Sequence, residues 1–372
     1  MSFRSSSQTI RAPDVESYLS QHSSRQKIIY PNRLIKLSDR MHVVKLTTGG
    51  EPGFGSLLNR QTPGRKGIWN NCIFKINEDV EECDFWVVYE GIAKTETSKC
   101  PHNGTLFIAG ESQSIRRYDP YFLDQFSRVL TCQPAIRHKN KIFGQSSLPW
   151  FVGLVFQQEP PRCYASMDFD DFMNARPKKD RLLSALTSGK RKTAGQRMRL
   201  EFVRKMEKHF GTEFDSFTSD QQWMPDKWEA VSRYKYHLAI ENAACTNYWT
   251  EKIADPFLGG CYPFYHGCPN LSDYFSSKSF TPIDINKPEK AIKLIERMID
   301  NGLYEKSQED IADSKERVLN RYNLFAVIST MVETADLEEK STVTIKPERK
   351  RRWGVKERSR YRANQLLNWL DL

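Results

Sequence analysis

Closely paired cysteines are missing from this 372-residue sequence. The eight residues at 72, 83, 100, 132, 163, 245, 261 and 268 include no Cys-x-x-Cys pair. Neither a zinc site nor a disulfide framework therefore has its usual spacing, and reduced, mostly buried thiols are expected. Long hydrophobic runs are missing as well. No uninterrupted apolar stretch approaches the roughly 18 residues of a membrane span, and residues 1–30 lack the apolar core of a secretory leader. The expected location is the cytoplasm.

What is present is ordinary for a folded chain, with 39% hydrophobic and 27% charged residues. The length suggests two domains and hence a cleft between them. The net charge of +10 is uneven: residues 341–372 hold nine Lys or Arg against three acids, so +6 falls there and +4 on the first 340. The basic run Lys346 to Arg362 leads into the apolar NQLLNWLDL. A solvated helical face is the default reading of 346–372. Trp353, Tyr361, Leu366, Leu367, Trp369 and Leu370 among the arginines add weight to an anionic membrane surface, which would make the protein peripheral on the inner face. Nucleic acid is the third reading and is not expected as a partner.

Residues 1–40, rich in Ser, Gln and Arg, read as an N-terminal extension. Short apolar runs follow at MHVVKL (41–46), CDFWVVY (83–89), TLFIAG (105–110) and RVLTC (128–132), which suit buried strands of a parallel sheet. Between Val129 and Leu182 the sequence turns Pro-rich and irregular, placing a domain boundary near residue 175. A second set begins with RLLSALTS (181–188) and a helical pattern over 194–210. YKYHLAIEN (234–242), TEKIADPFLGG (250–260) and CYPFYHG (261–267) then read as strand, helix and strand, a βαβ unit that forces parallel pairing. Residues 287–332 read as helical. The expected fold is α/β, with domains at 41–175 and 176–335 and a basic tail at 336–372.

Ligands of open α/β sheets lie at the carboxyl ends of strands. That rule selects Glu241 and Asn242 at the end of one strand, and Tyr248, Glu251 and Lys252 around the next helix start. Thr250 is a candidate N-cap, which would leave backbone N–H groups facing an anion. Lys252 in a first helical turn opposes the macrodipole, so it points either to a ligand or simply to solvent. Pro256 is expected to kink that helix.

The stretch YKYHLAIENAACTNYWTEKIADPFLGGCYPFYHGCPNLSDYFSSKSFTPIDI (234–285) resembles the donor-binding motif of glycosyltransferase family 10, the α1,3/4-fucosyltransferases. In that motif a Tyr-Lys-Phe strand leads to Phe-Glu-Asn and Tyr-x-Thr-Glu-Lys. GQRMRLEFVRKM is similar to the family's Arg-x-x-Phe/Tyr helix, matching Arg199, and LFIAGES to its strand ending in Gly-Glu, matching Glu111. The resemblance implies two facing Rossmann-like domains of the GT-B type, inverting transfer from GDP-fucose, and a glycan acceptor. It implies Glu111 as general base, Arg199 and Lys252 on the donor pyrophosphate, and Asn242, Tyr248 and Glu251 along the donor pocket. No cofactor is required by this reading. Three positions depart from the pattern: Ile240 replaces Phe, Asn247 stands where an acid is frequent, and Pro256 interrupts the helix. They bear on the sugar more than on the reaction.

Those residue types suit the chemistry. A single displacement needs a carboxylate to take the acceptor proton and cations to stabilise the leaving diphosphate. A glutamate after a strand is ordinarily a solvated turn residue, and Arg197 competes with Arg199 on the same basic helix. Asp168-Phe169-Asp170 is an Asp-x-Asp triplet of the kind that holds a metal in metal-dependent transferases, but it sits in the irregular crossing and reads as an acidic turn, so no bound metal is expected. Gly49, Gly50, Gly53 and Gly55 lack the dinucleotide spacing and read as a flexible loop at the acceptor cleft. The alternatives are a transferase using another nucleotide sugar, and a nucleic-acid-binding protein acting through its tail.

Overall fold

The computed structural model describes residues 40–49, 54–146, 149–157, 162–189, 194–218 and 224–348. The first parallel sheet is built on runs that are apolar on both faces. FWVVY and TLFIA are buried at every position, as strands covered on both sides must be. Its seven strands lie in the order β2 (Ile68–Trp69), β3 (Cys72–Ile76), β1 (His42–Thr48), β4 (Phe85–Tyr89), β6 (Thr105–Ala109), β7 (Arg128–Thr131), β8 (Lys141–Phe143). Only the β2–β3 edge is antiparallel. The second sheet has five strands, all parallel: β12 (Phe214–Thr218), β11 (Arg181–Thr187), β13 (Tyr234–Ile240), β14 (Tyr262–His266), β15 (Thr281–Pro282). The chain is thus mixed α/β with two Rossmann-like sheets.

Between the sheets the irregular segment forms a β9–β10 hairpin (Leu154–Gln157, Arg162–Ala165) and a short helix, α1 (Phe169–Asn174). Asp168 caps α1, receiving the Asp170 and Asp171 N–H groups, and pairs with Arg65 at 2.6 Å. The Asp-x-Asp triplet is therefore a helix start. Arg60 is buried and donates to the carbonyls of Val152 and Met167, which ties this crossing to the first sheet.

Helix α2 (Ala194–Phe210) lies between β11 and β12, helix α3 (Glu251–Leu258) lies between β13 and β14, and α4 (Pro288–Asp300), α5 (Gln308–Glu316) and α6 (Leu324–Glu333) follow the second sheet. Pro256 lies inside α3, which still runs to Leu258. Helix α6 is apolar nearly all round and packs back on the first sheet. Phe325 meets Phe74 edge to face at 4.8 Å, and Asn323 donates to the Gln61 carbonyl at 2.8 Å. No helix among the described residues is long and apolar enough to cross a membrane.

The stretch expected to be a tail begins differently. Lys340–Ile345 forms β16, antiparallel to β5 (Glu96–Pro101). Its alternation buries Val343 and Ile345 in the first domain's core while Thr344 between them faces water. Glu348 then accepts from Arg116 at 3.1 Å and from the Asp119 N–H at 2.6 Å. The amphipathic pattern assigned to Trp353, Tyr361, Leu366, Leu367, Trp369 and Leu370 lies outside the described residues, as do the extension up to residue 39, Gly50 and Gly53.

Candidate active site

Glu241 is the anchor of the second sheet's carboxyl end. It follows β13 directly, is 5% exposed, and accepts from the Thr250 N–H at 2.8 Å and the Thr250 hydroxyl at 2.7 Å. Thr250 in turn caps α3 by accepting the Lys252 N–H at 3.2 Å, as its position before the helix predicts. Gly267 makes this packing possible, because a Cβ there would lie 2.4 Å from Glu241 Cγ and from the Tyr265 hydroxyl. Burial pushes the Glu241 carboxyl up to about 7, against the nearby Lys252 ammonium.

Lys252 faces inward. Its Nζ lies 2.9 Å from Glu251 and 3.8 Å from Glu241, and burial of the ammonium is outweighed by these two acids, which hold its pKa above the ordinary lysine value. Glu251 is held down to about 2: burial works to raise it, and Lys252 with Lys227 overcomes that. Arg197 and Arg199 are placed differently on helix α2. Arg197 is exposed, whereas Arg199 is 3% exposed and turns toward the strand ends. It donates from Nη1 to Asn242 Oδ1 at 2.8 Å and from Nη2 to the Ser188 hydroxyl at 3.2 Å. Its Nε is buried with no hydrogen-bond partner among the described residues, and desolvation lowers its pKa.

Glu111 follows β6 at the carboxyl end of the first sheet. The neighbouring strand places Glu90 at the corresponding position after β4, where its backbone takes the left-handed φ of 63°. The Glu90 carboxylate gathers the N–H groups of Gly110 and Glu111, the Tyr118 hydroxyl and Arg116 at 2.8 Å, and so fixes the turn that carries Glu111. Burial, and then the Glu90 charge, raise the Glu111 pKa above the usual carboxylate range against the pull of Lys252. From the other sheet Tyr248, 2% exposed, donates its hydroxyl to Glu111 Oε2 at 3.3 Å. The carboxyl ends of both sheets thus meet at this pair.

The six residues to which the resemblance gives a role, Glu111, Arg199, Asn242, Tyr248, Glu251 and Lys252, lie around this junction with Glu241. The departures from the family pattern have local reasons. Asn247 adopts a left-handed φ of 63° and its Oδ1 accepts the Tyr274 hydroxyl and the Asn270 amide, both at 2.8 Å. An amide suits that conformation and those donors. Ile240 is a core residue of the second sheet. Glu90 was not singled out from the sequence, although Tyr-Glu-Gly after a buried run carries the signal that marks Glu111.

Ligands of open α/β sheets bind at the carboxyl ends of the strands, and here a carboxylate from one sheet and buried cations from the other meet at such ends. Residues 176–304, about a third of the chain, match the model of the glycosyltransferase family 10 (fucosyltransferase) C-terminal domain. It is 28% identical over 117 residues to α-(1,3)-fucosyltransferase B of Drosophila melanogaster, covering 31% of this chain and 26% of that protein. It is 35% identical over 81 residues to GDP-fucose protein O-fucosyltransferase 3 of Mus musculus, covering 21% of this chain and 17% of that protein. The chain therefore matches about a quarter or less of the length of these relatives. A crystal structure of an α1,3-fucosyltransferase with GDP-fucose aligns at a TM-score of 0.45 and 14% identity, over 83% of this chain and 95% of that one.

Proposed function

We propose that the chain transfers fucose from GDP-fucose to a hydroxyl of an acceptor glycan, with inversion at the anomeric carbon. The observation that carries this reading is the Tyr248–Glu111 hydrogen bond, which brings a carboxylate of raised pKa from one sheet to the loop that leads into Lys252 on the other.

In the proposed reaction Glu111 removes the acceptor hydroxyl's proton as the oxygen attacks, and its raised pKa makes it a more effective base near neutrality. Arg199 and Lys252 stabilise charge building on the departing GDP, with the unpartnered Nε of Arg199 as a ready donor. Asn242 orients Arg199, Glu251 holds Lys252, and Tyr248 steadies the Glu111 carboxylate. The two cations serve the leaving group, so this mechanism calls for no bound divalent metal and no cofactor. The names of the fucosyltransferase relatives support GDP-fucose as donor. The other proposed partner is the acceptor glycan, and an inner membrane face remains the proposed location for residues 346–372.

Calorimetric titration with GDP, GDP-fucose, GDP-mannose and UDP-galactose tests the donor. Preferential binding of GDP and GDP-fucose is expected, and preferential binding of UDP-galactose would refute the reading. Release of GDP with glycan acceptors but not with peptide hydroxyls would fix the acceptor class.

A further inference from the structure

A second cavity, of about 440 Å³, lies at the other end of the second sheet. Lys179 precedes the first residue of β11 and Gly260 precedes the first residue of β14, so this cavity opens at the strands' amino ends, whereas the candidate active site lies at their carboxyl ends. Its volume falls within the range of small-ligand sites.

Three cations converge on it: Arg176 and Lys179 from the crossing, and Lys315 from α5. Among the described residues their hydrogen-bond acceptors are carbonyls and one thiol. Arg176 donates to the Met173 and Ala175 carbonyls, Lys315 to the Ala175 carbonyl at 2.9 Å, and Lys179 to the Val231 and Gly259 carbonyls and Cys261 Sγ. No carboxylate among the described residues lies within ion-pair distance of any of the three. Burial, then the charges of Arg176 and Lys179, hold Lys315 down to about 8, so the cluster repels itself. An anion would relieve that repulsion. The rest of the wall is largely apolar, with Ile311 and Leu319 buried beside the cations.

We propose that this cavity binds a phosphate monoester carried on a single apolar chain. The three cations less the lining carboxylate of Glu316 leave a formal charge of +2, which a phosphate dianion balances and a carboxylate does not. Helix α3 connects the two sites directly: Glu251 and Lys252 begin it at the active site, and the Gly259 carbonyl that follows it accepts from Lys179 in the cavity.

Calorimetric titration of the full chain with octyl phosphate, octanoate and inorganic phosphate, each with and without saturating GDP, tests the proposal. Octyl phosphate should bind at least tenfold more tightly than either other probe and should not be displaced by GDP. Lys315→Gln should weaken octyl phosphate at least tenfold while GDP binding stays intact, which also reports that the variant is folded, and Lys315→Arg should restore affinity. Octyl phosphate binding that GDP abolishes, or that survives Lys315→Gln unchanged, would overturn the site. Equal affinity for octanoate or inorganic phosphate would overturn the ligand class.

Discussion

Replacing Arg199 by lysine keeps a positive charge in place and removes only the planar fork that this position uses. The guanidinium spans Asn242 at 2.8 Å and Ser188 at 3.2 Å while leaving Nε for a ligand. A lysine ammonium has no rigid geometry with which to meet two protein acceptors and a diphosphate oxygen in the same way. The loss at the ligand is then one hydrogen bond between charged groups, worth about 1.5–3 kcal/mol. That corresponds to roughly a 10- to 150-fold weaker dissociation constant for GDP. Titration of Arg199→Lys with GDP measures it directly, and an unchanged thermal midpoint separates it from unfolding. Affinity within twofold of the parent would refute the assignment of Arg199 to the pyrophosphate.

Three further outcomes follow from the geometry. Glu90→Gln removes the negative charge beside Glu111, so the Glu111 carboxyl ionises more readily and the acid limb of the pH–rate profile should move to lower pH; an unmoved limb would mean that Glu90 does not act on the base. Gly267→Ala drives a methyl group into Glu241 and Tyr265, and should cost about 1–3 kcal/mol in urea unfolding, with none lost if the predicted 2.4 Å clash is absent. Ile345→Ala should destabilise by about 2–5 kcal/mol because Ile345 is fully buried, and an unchanged unfolding midpoint would contradict the role of β16.

The central strands were legible because a strand covered on both faces is largely apolar, and FWVVY and TLFIA are continuous enough to show it. Among the strands that sequence did not mark are β2, two residues long, β8, three residues long, and the polar β5 and β16, whose KSTVTI buries only two side chains. Charge counting over 341–372 concealed that strand, since lysines and arginines beyond it set the average. At the site, Asn242, Tyr248, Glu251 and Lys252 were legible because they crowd one strand–loop–helix passage. Glu90 carries the same mark as Glu111, a glutamate after a buried run, but its hold on the Glu111 loop shows only when parallel pairing sets β4 beside β6. The same holds for Lys179 and Lys315, which are 136 positions apart and meet only in the folded chain.

The central claim is that Glu111 is the proton acceptor for transfer, and Glu111→Gln tests it most directly because the amide keeps the shape and the Tyr248 contact while removing the base. With GDP-fucose and an acceptor glycan, turnover should fall by about 10²- to 10⁴-fold while GDP-fucose binding stays within twofold of the parent protein. Turnover close to that of the parent would contradict the account.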